Sequence, residues 1–264
     1  MKEKIETVLK GQEAERGCRI LFAVESGSRA WGFASPDSDY DVRAIYVRPL
    51  DWYLGLEEGL ADTWNAMLPG KLDIAAWDLR KALRQFQKSN ASFLEWLGSP
   101  TVYSGCGLIG ELKGLIDRVF NPTHVAYHYA SMFRHAMEDK AVDGTISVKK
   151  LCYALRANAA ADWVVRKGCM PPTVFASVLE GLPLTEDETK AIDELLVLKS
   201  QAGERDRIRP DARLCCLLAD RCDELGRIRW REERPPTEET RHVLEDLFRK
   251  YVKPECLNYA FDVL

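Results

Sequence analysis

The chain has 264 residues, 46% of them hydrophobic and 30% charged, with a formal net charge of −4. That composition belongs to a soluble globular protein long enough to bury a sizeable core, and it excludes a uniformly basic nucleic-acid-binding surface while leaving room for a local basic stripe. No apolar run reaches the ~18–20 residues of a membrane span, the opening segment is charged rather than leader-like, and the eight cysteines form no C-x-x-C pair, so a cytoplasmic protein with buried, reduced thiols is expected.

In chain order, residues 1–16 read as an amphipathic helix carrying Ile5, Val8 and Leu9 on one side. Ile20-Leu21-Phe22-Ala23-Val24 is a short unbroken apolar run, the pattern of a strand buried on both faces. A segment rich in small residues, Ser26–Phe33, follows, then a Ser35-Pro36-Asp37-Ser38 turn. Residues 39–47 are strand-like and end at Pro49; residues 71–77 are a third candidate strand. Residues 78–88 and 90–97 are predicted helices, the second closed by Gly98 and Pro100. Beyond Gly107 the periodicity turns helical, with helices expected near 108–120, 123–138, 148–167, 186–201, 211–226 and 238–252. An α+β chain results: a first domain over 1–105 built on a small mixed β-sheet, and an all-helical domain over 106–264.

The chemistry concentrates in three places. Gly27-Ser28 follows a buried strand, Asp39 and Asp41 stand two apart on the next, and Asp73 lies between Leu72 and Ile74 on a third. Side chains two apart on a strand share a face, so Asp39 and Asp41 present neighbouring carboxylates. Such a pair is unfavourable without a cation, and Mg2+ (or Mn2+), which takes carboxylates together with substrate phosphates, is the expected partner, held by Asp39, Asp41 and Asp73. Gly27 permits close approach of backbone to phosphate, with Ser28, Arg29 and nearby amides as donors.

The string Gly27–Arg43, with Asp39-Tyr40-Asp41 and the later Asp73, resembles the DNA-polymerase-β nucleotidyltransferases. Within them it is similar to a narrower group, the YcgL-type or RNA repair pathway DNA polymerase beta family. That likeness continues through Asp73–Lys81, Asn90, Glu95-Trp96, Ser99-Pro100 and Tyr103, and again at Lys149-Lys150 and Tyr153–Arg156. The resemblance implies a polymerase-β palm-like sheet followed by a helical domain closing the nucleotide cleft. It implies transfer of a nucleoside monophosphate from an NTP to a hydroxyl with release of pyrophosphate, and an RNA end as acceptor. Transfer to a protein or small molecule, or non-catalytic nucleotide or RNA binding, are the competing readings; intact carboxylates argue against the last. No membrane partner is expected, and the sequence carries no signal of oligomeric state.

Lys149, Lys150, Tyr153 and Arg156 fall within about a third of one helix's circumference at ~100° per residue, opposite Leu151, Leu155 and Ala159. They are expected to form a cationic and aromatic stripe, and the resemblance implies that Lys150, Tyr153 and Arg156 contact triphosphate or base. His124 and His128 lack the context of a zinc motif. The Arg227–Arg231 run reads as a solvated helix end or loop, with RNA contact as the alternative, and the tryptophans as packing.

Overall fold

The computed structural model describes residues 1–56, 61–105, 107–203, 206–227 and 236–253. In chain order its elements are α1 (Lys2–Arg16), β1 (Arg19–Ser26), α2 (Gly27–Trp31), β2 (Tyr40–Val47), α3 (Leu50–Leu54), β3 (Thr63–Leu68) and β4 (Leu72–Asp78). Then come α4 (Leu79–Gln87), α5 (Ala91–Leu97), β5 (Val102–Ser104), α6 (Leu108–Lys113), α7 (Ile116–Val119), α8 (Pro122–Met137), β6 (Ile146–Ser147) and α9 (Val148–Lys167). The chain continues through α10 (Phe175–Glu180), α11 (Glu186–Gln201), β7 (Arg207–Ile208), α12 (Ala212–Arg227) and α13 (Glu238–Val252). The α+β class expected from the sequence is the class observed.

Two compact units result, and their membership differs from a cut at residue 105. The first comprises Met1–Gly27, Asp39–Val119 and the described part of the segment from Pro235 on; the second comprises Ser28–Ser38 and the described part of Phe120–Arg234. Three pieces are reassigned: the segment between β1 and β2 joins the helices, while α6 with α7 and α13 join the sheet. The physical reason is burial. Trp31 and Phe33 are buried in the helical core, and α13 packs on α4, so apolar surface rather than chain order sets the grouping.

The first unit is built on a five-stranded mixed sheet in the order β3-β4-β2-β1-β5. Strands β2 and β4 are parallel, while β3 with β4, β1 with β2 and β1 with β5 are antiparallel. Alternation along the central strands splits the side chains between two faces. Val42, Ala44 and Tyr46 of β2 and Leu72, Ile74 and Ala76 of β4 join Ile5 and Leu9 of α1 in one core. The opposite face meets α4 and α5, where Phe93 packs on Phe22, Phe86 and Trp77 at ring-centroid distances of 6.4, 5.9 and 6.1 Å. Burying one such ring contributes about 1.5–3 kcal/mol. Asp78 starts α4, accepting from the Arg80 N–H at 2.8 Å and from the Tyr53 hydroxyl at 2.6 Å; its burial pushes the carboxyl above the usual range.

The second unit is organised around α9, which is buried along most of its length and packs on α8, α10, α11 and α12. Ser147 caps its start, accepting from the Lys150 N–H at 3.2 Å, and Gly168 ends it in the left-handed conformation at φ 67°. A two-strand pair, β6 with β7, lies beside it.

Several expectations shift in detail. The helix predicted over 108–120 breaks at Gly114 and Leu115 into α6 and α7, since glycine inside a helix costs about 1 kcal/mol. Strands β3 and β5 escaped notice because both are edge strands, one half-exposed and the other three residues long. The thiols are not uniformly buried: Cys18 and Cys152 are, whereas Cys169, Cys215 and Cys216 are exposed. Residues 228–231 of the cation-aromatic run lie outside the described residues. Among the described residues no helix is long and apolar enough to cross a membrane.

Candidate active site

The sheet decides which of the three carboxylates meet. In the parallel β2–β4 register Asp41 stands directly opposite Asp73. Both are half-buried and point away from the α1 core that holds Val42, Leu72 and Ile74. Arg43, two residues beyond Asp41 and therefore on the same face, places one guanidinium nitrogen 3.2 Å from Asp41 Oδ1 and 3.0 Å from Asp73 Oδ2. A second nitrogen donates to the Val42 carbonyl at 3.1 Å. Two in-register carboxylates repel each other, and the delocalised cation between them offsets that repulsion through charge-assisted hydrogen bonds. Asp39 is half-buried and lies one residue before β2, where the Tyr40 N–H already extends the sheet by donating to the Lys71 carbonyl at 2.7 Å.

The register thus sets Asp41 against Asp73, with Asp39 one residue before the strand. Among the described residues no three acidic, histidine or cysteine side chains are arranged to hold a metal ion. The donors nevertheless suit a hard divalent cation in kind, since every candidate ligand is a carboxylate oxygen and the place between Asp41 and Asp73 is one that attracts positive charge.

Gly27 is tied to this pair by geometry. Its φ is +61°, and a Cβ added there would lie 2.2 Å from Asp41 Oδ2. Ser26, just before it, is paired with Asp41 across β1 and β2. Any side chain at 27 would therefore displace the Asp41 carboxylate. The group nearest that position, where a phosphate is expected to approach, is the aspartate itself.

Beneath Asp41 sits Glu25, 2% exposed. Its Oε1 accepts the Asp41 N–H at 2.7 Å, its Oε2 accepts the Tyr103 hydroxyl, and its own carbonyl accepts the Ser99 hydroxyl at 2.6 Å. A buried carboxylate satisfied in this way fixes β1, β2 and β5 where the aspartate is presented. Neither Glu25 nor Arg43 was singled out from sequence. Glu25 looks like the polar end of an apolar run. Arg43 was detectable, because a residue two positions past Asp41 must share its face.

The second unit holds the remaining candidates. Ser28 is 5% exposed, and Arg29 donates to the Ser38 carbonyl at 2.7 Å. The turn Ser35–Ser38 is closed by the Ser35 N–H on Ser38 Oγ at 3.0 Å, and the buried Lys199 of α11 donates to Ser35 Oγ at 2.9 Å. Arg29 and Lys199 therefore shape the segment that leads into Asp39. The stripe on α9 is not a single exposed surface. Lys150 is exposed and Lys149 half-buried, but Arg156 is 1% exposed. Its guanidinium lies 4.4 Å from the Trp31 ring centroid and donates to the Thr173 carbonyl at 3.4 Å. Tyr153 packs edge-on against Trp31 at 5.0 Å. Leu151, Leu155 and Ala159 are buried as expected, but so is the arc that carries Arg156, because Trp31 supplies an aromatic face for the cation.

Comparison with known proteins identifies a family for the chain. The chain is 42% identical over 205 residues to the uncharacterized protein YcgL of Bacillus subtilis (strain 168), covering 77% of this chain and 78% of that protein. A solved nucleotidyltransferase-like protein from Exiguobacterium sibiricum 255-15 aligns over 97% of this chain and 92% of its own, at 14% identity and a TM-score of 0.33. The family model described as the RNA repair pathway DNA polymerase beta family matches residues 1–250. With nearly the whole chain matched, the protein belongs to the RNA repair pathway DNA polymerase beta family, a polymerase-β-like group of nucleotidyltransferases.

Proposed function

We propose that the protein transfers a nucleoside monophosphate from an NTP to the hydroxyl of an RNA end. The observation that carries this reading is the in-register pair Asp41 and Asp73 on adjacent parallel strands, with Gly27 closed against the first of them. The acceptor oxygen bonds to the α-phosphorus, the bond from that phosphorus to the bridging oxygen breaks, and pyrophosphate leaves. The acceptor's proton passes to the carboxylate cluster. Asp41 and Asp73, with Asp39 beside them, would hold Mg2+ or Mn2+, which supplies positive charge against the triphosphate when bound. Arg43 keeps the two aspartates apart and oriented, and Glu25 holds the Asp41 backbone in place. The sheet supplies rigidity, so the carboxylates meet the phosphates without reorganising. The RNA acceptor is supported by the family to which the chain belongs.

The test is incubation with Mg2+, each labelled NTP and a pool of RNAs. Label is expected on RNA, and Asp41→Ala and Asp73→Ala are expected to abolish it while the fold persists. Label on the protein itself would replace the acceptor, and near-normal turnover in either variant would remove that carboxylate from the reaction.

A further inference from the structure

Three arginines surround one concavity of the first unit, on α4 and α13 rather than on the strands that carry the carboxylates. On α4, Arg80, Arg84 and Gln87 are spaced i, i+4, i+7; on α13, Arg241, Glu245 and Phe248 repeat the spacing. Residues at that spacing share a helix face, and here both faces line a cavity of about 310 Å³. The one acidic group of the lining, Glu245, is engaged by Arg249 at 3.0 Å. No carboxylate among the described residues pairs with Arg84 or Arg241. Arg80 is fixed over two rings, 4.9 Å from the Tyr53 centroid and 5.4 Å from that of Phe248.

Cations four apart on a helix repel each other, and a third facing them from another helix adds to the cost. A concave wall focuses the resulting potential, so an anion entering the cavity offsets it. The half-buried Phe248 ring beside these cations adds an aromatic platform. Basic groups interleaved with an aromatic ring hold single-stranded nucleic acid, through the phosphate and the base at once. The site is separate from the reaction centre. Asp73 and Asp78 lie five residues apart on β4, roughly 16 Å at ~3.3 Å per residue, and the pocket is lined by α4, which begins after Asp78, and by α13. None of the residues that line the pocket is one of the candidate carboxylates.

We propose that this pocket holds one phosphate and the adjoining base of a single-stranded nucleic acid. Arg84 and Arg241 bind the phosphate and Phe248 meets the base. The inference rests on the proposed function only in taking the bound strand as the acceptor; binding itself needs no turnover.

The experiment is fluorescence anisotropy of a short labelled oligoribonucleotide titrated with the full chain over a range of salt. Arg84→Ala and Arg241→Ala alter exposed side chains, and thermal melting checks that both variants fold. Each is expected to weaken binding about tenfold and to lower the slope of log affinity on log salt by about 0.7. Arg84→Lys should restore the slope. Asp73→Ala should bind the strand like the unsubstituted protein while losing transfer. Unchanged affinity and slope in both arginine variants would overturn the inference, whatever the transfer assay shows. Equal competition by inorganic phosphate would overturn it too, by making the pocket a small-anion site. If arginine dependence holds in a protein that transfers nothing, the pocket stands and the proposed activity falls.

Discussion

At the scale of single residues, the site depends on what surrounds Asp41. Gly27 combines a left-handed backbone with a Cβ position already filled by the Asp41 carboxylate. Gly27→Ala should cost roughly 1–2 kcal/mol from the backbone alone, and transfer should fall far more than stability because the aspartate must move. Turnover measured beside the melting temperature checks this; wild-type turnover in the folded variant would separate Gly27 from the site. Arg43 makes the second test. It now balances Asp41 and Asp73, whose side chains are 26% and 28% exposed. Arg43→Ala should lower stability by about 1 kcal/mol in metal-free buffer, after allowing for solvent screening. Mg2+ should then stabilise the variant more than the wild type, because the cation takes over the neutralising role. Calorimetry with and without Mg2+ decides, and equal metal-induced shifts would show that no ion enters between the aspartates.

At the scale of elements, α9 shows how periodicity misleads. A 3.6-residue period correctly places Leu151, Leu155 and Ala159 inward, but it cannot tell that Trp31 waits on another arc to receive Arg156. Arg156 therefore holds the core of the second unit. Arg156→Ala should cost about 3 kcal/mol by leaving Trp31 and Tyr129 facing a cavity, whereas Lys150→Ala, at an exposed position, should stay within about 0.5 kcal/mol. Denaturant unfolding of the two variants measures the difference. Equal small effects would mean that the guanidinium contributes little to packing. Strand β1 was legible as a continuous apolar run, β2 by its β-branched and aromatic residues, and β4 because Asp73 alternates with buried Leu72 and Ile74. The edge strands β3 and β5 were not, since pairing with a neighbour, rather than their own pattern, makes them strands.

At the scale of the whole molecule, the helical core includes Trp31 and Phe33, which the chain supplies more than a hundred residues before α9. A fragment of residues 106–264 would lack both rings and should expose the hydrophobic surface they cover. It should bind a hydrophobic dye strongly and melt without a sharp transition, while the full chain does neither. A cooperative fragment with no dye binding would restore the linear division near residue 105.

The sequence by itself determined the class of the fold, the central strands and most of the helices, and it singled out Asp39, Asp41 and Asp73 as candidates. These are local or periodic properties: apolar runs, i+2 and i+4 spacing, a glycine before a serine. Tertiary structure alone decided that Asp41 stands opposite Asp73, because strand register is set by partners distant in the chain. It alone placed Arg43 between them, Glu25 beneath them and Arg156 inside the core. The same holds for the arginines of α4 and α13, whose charges meet only because two helices some 150 residues apart pack together.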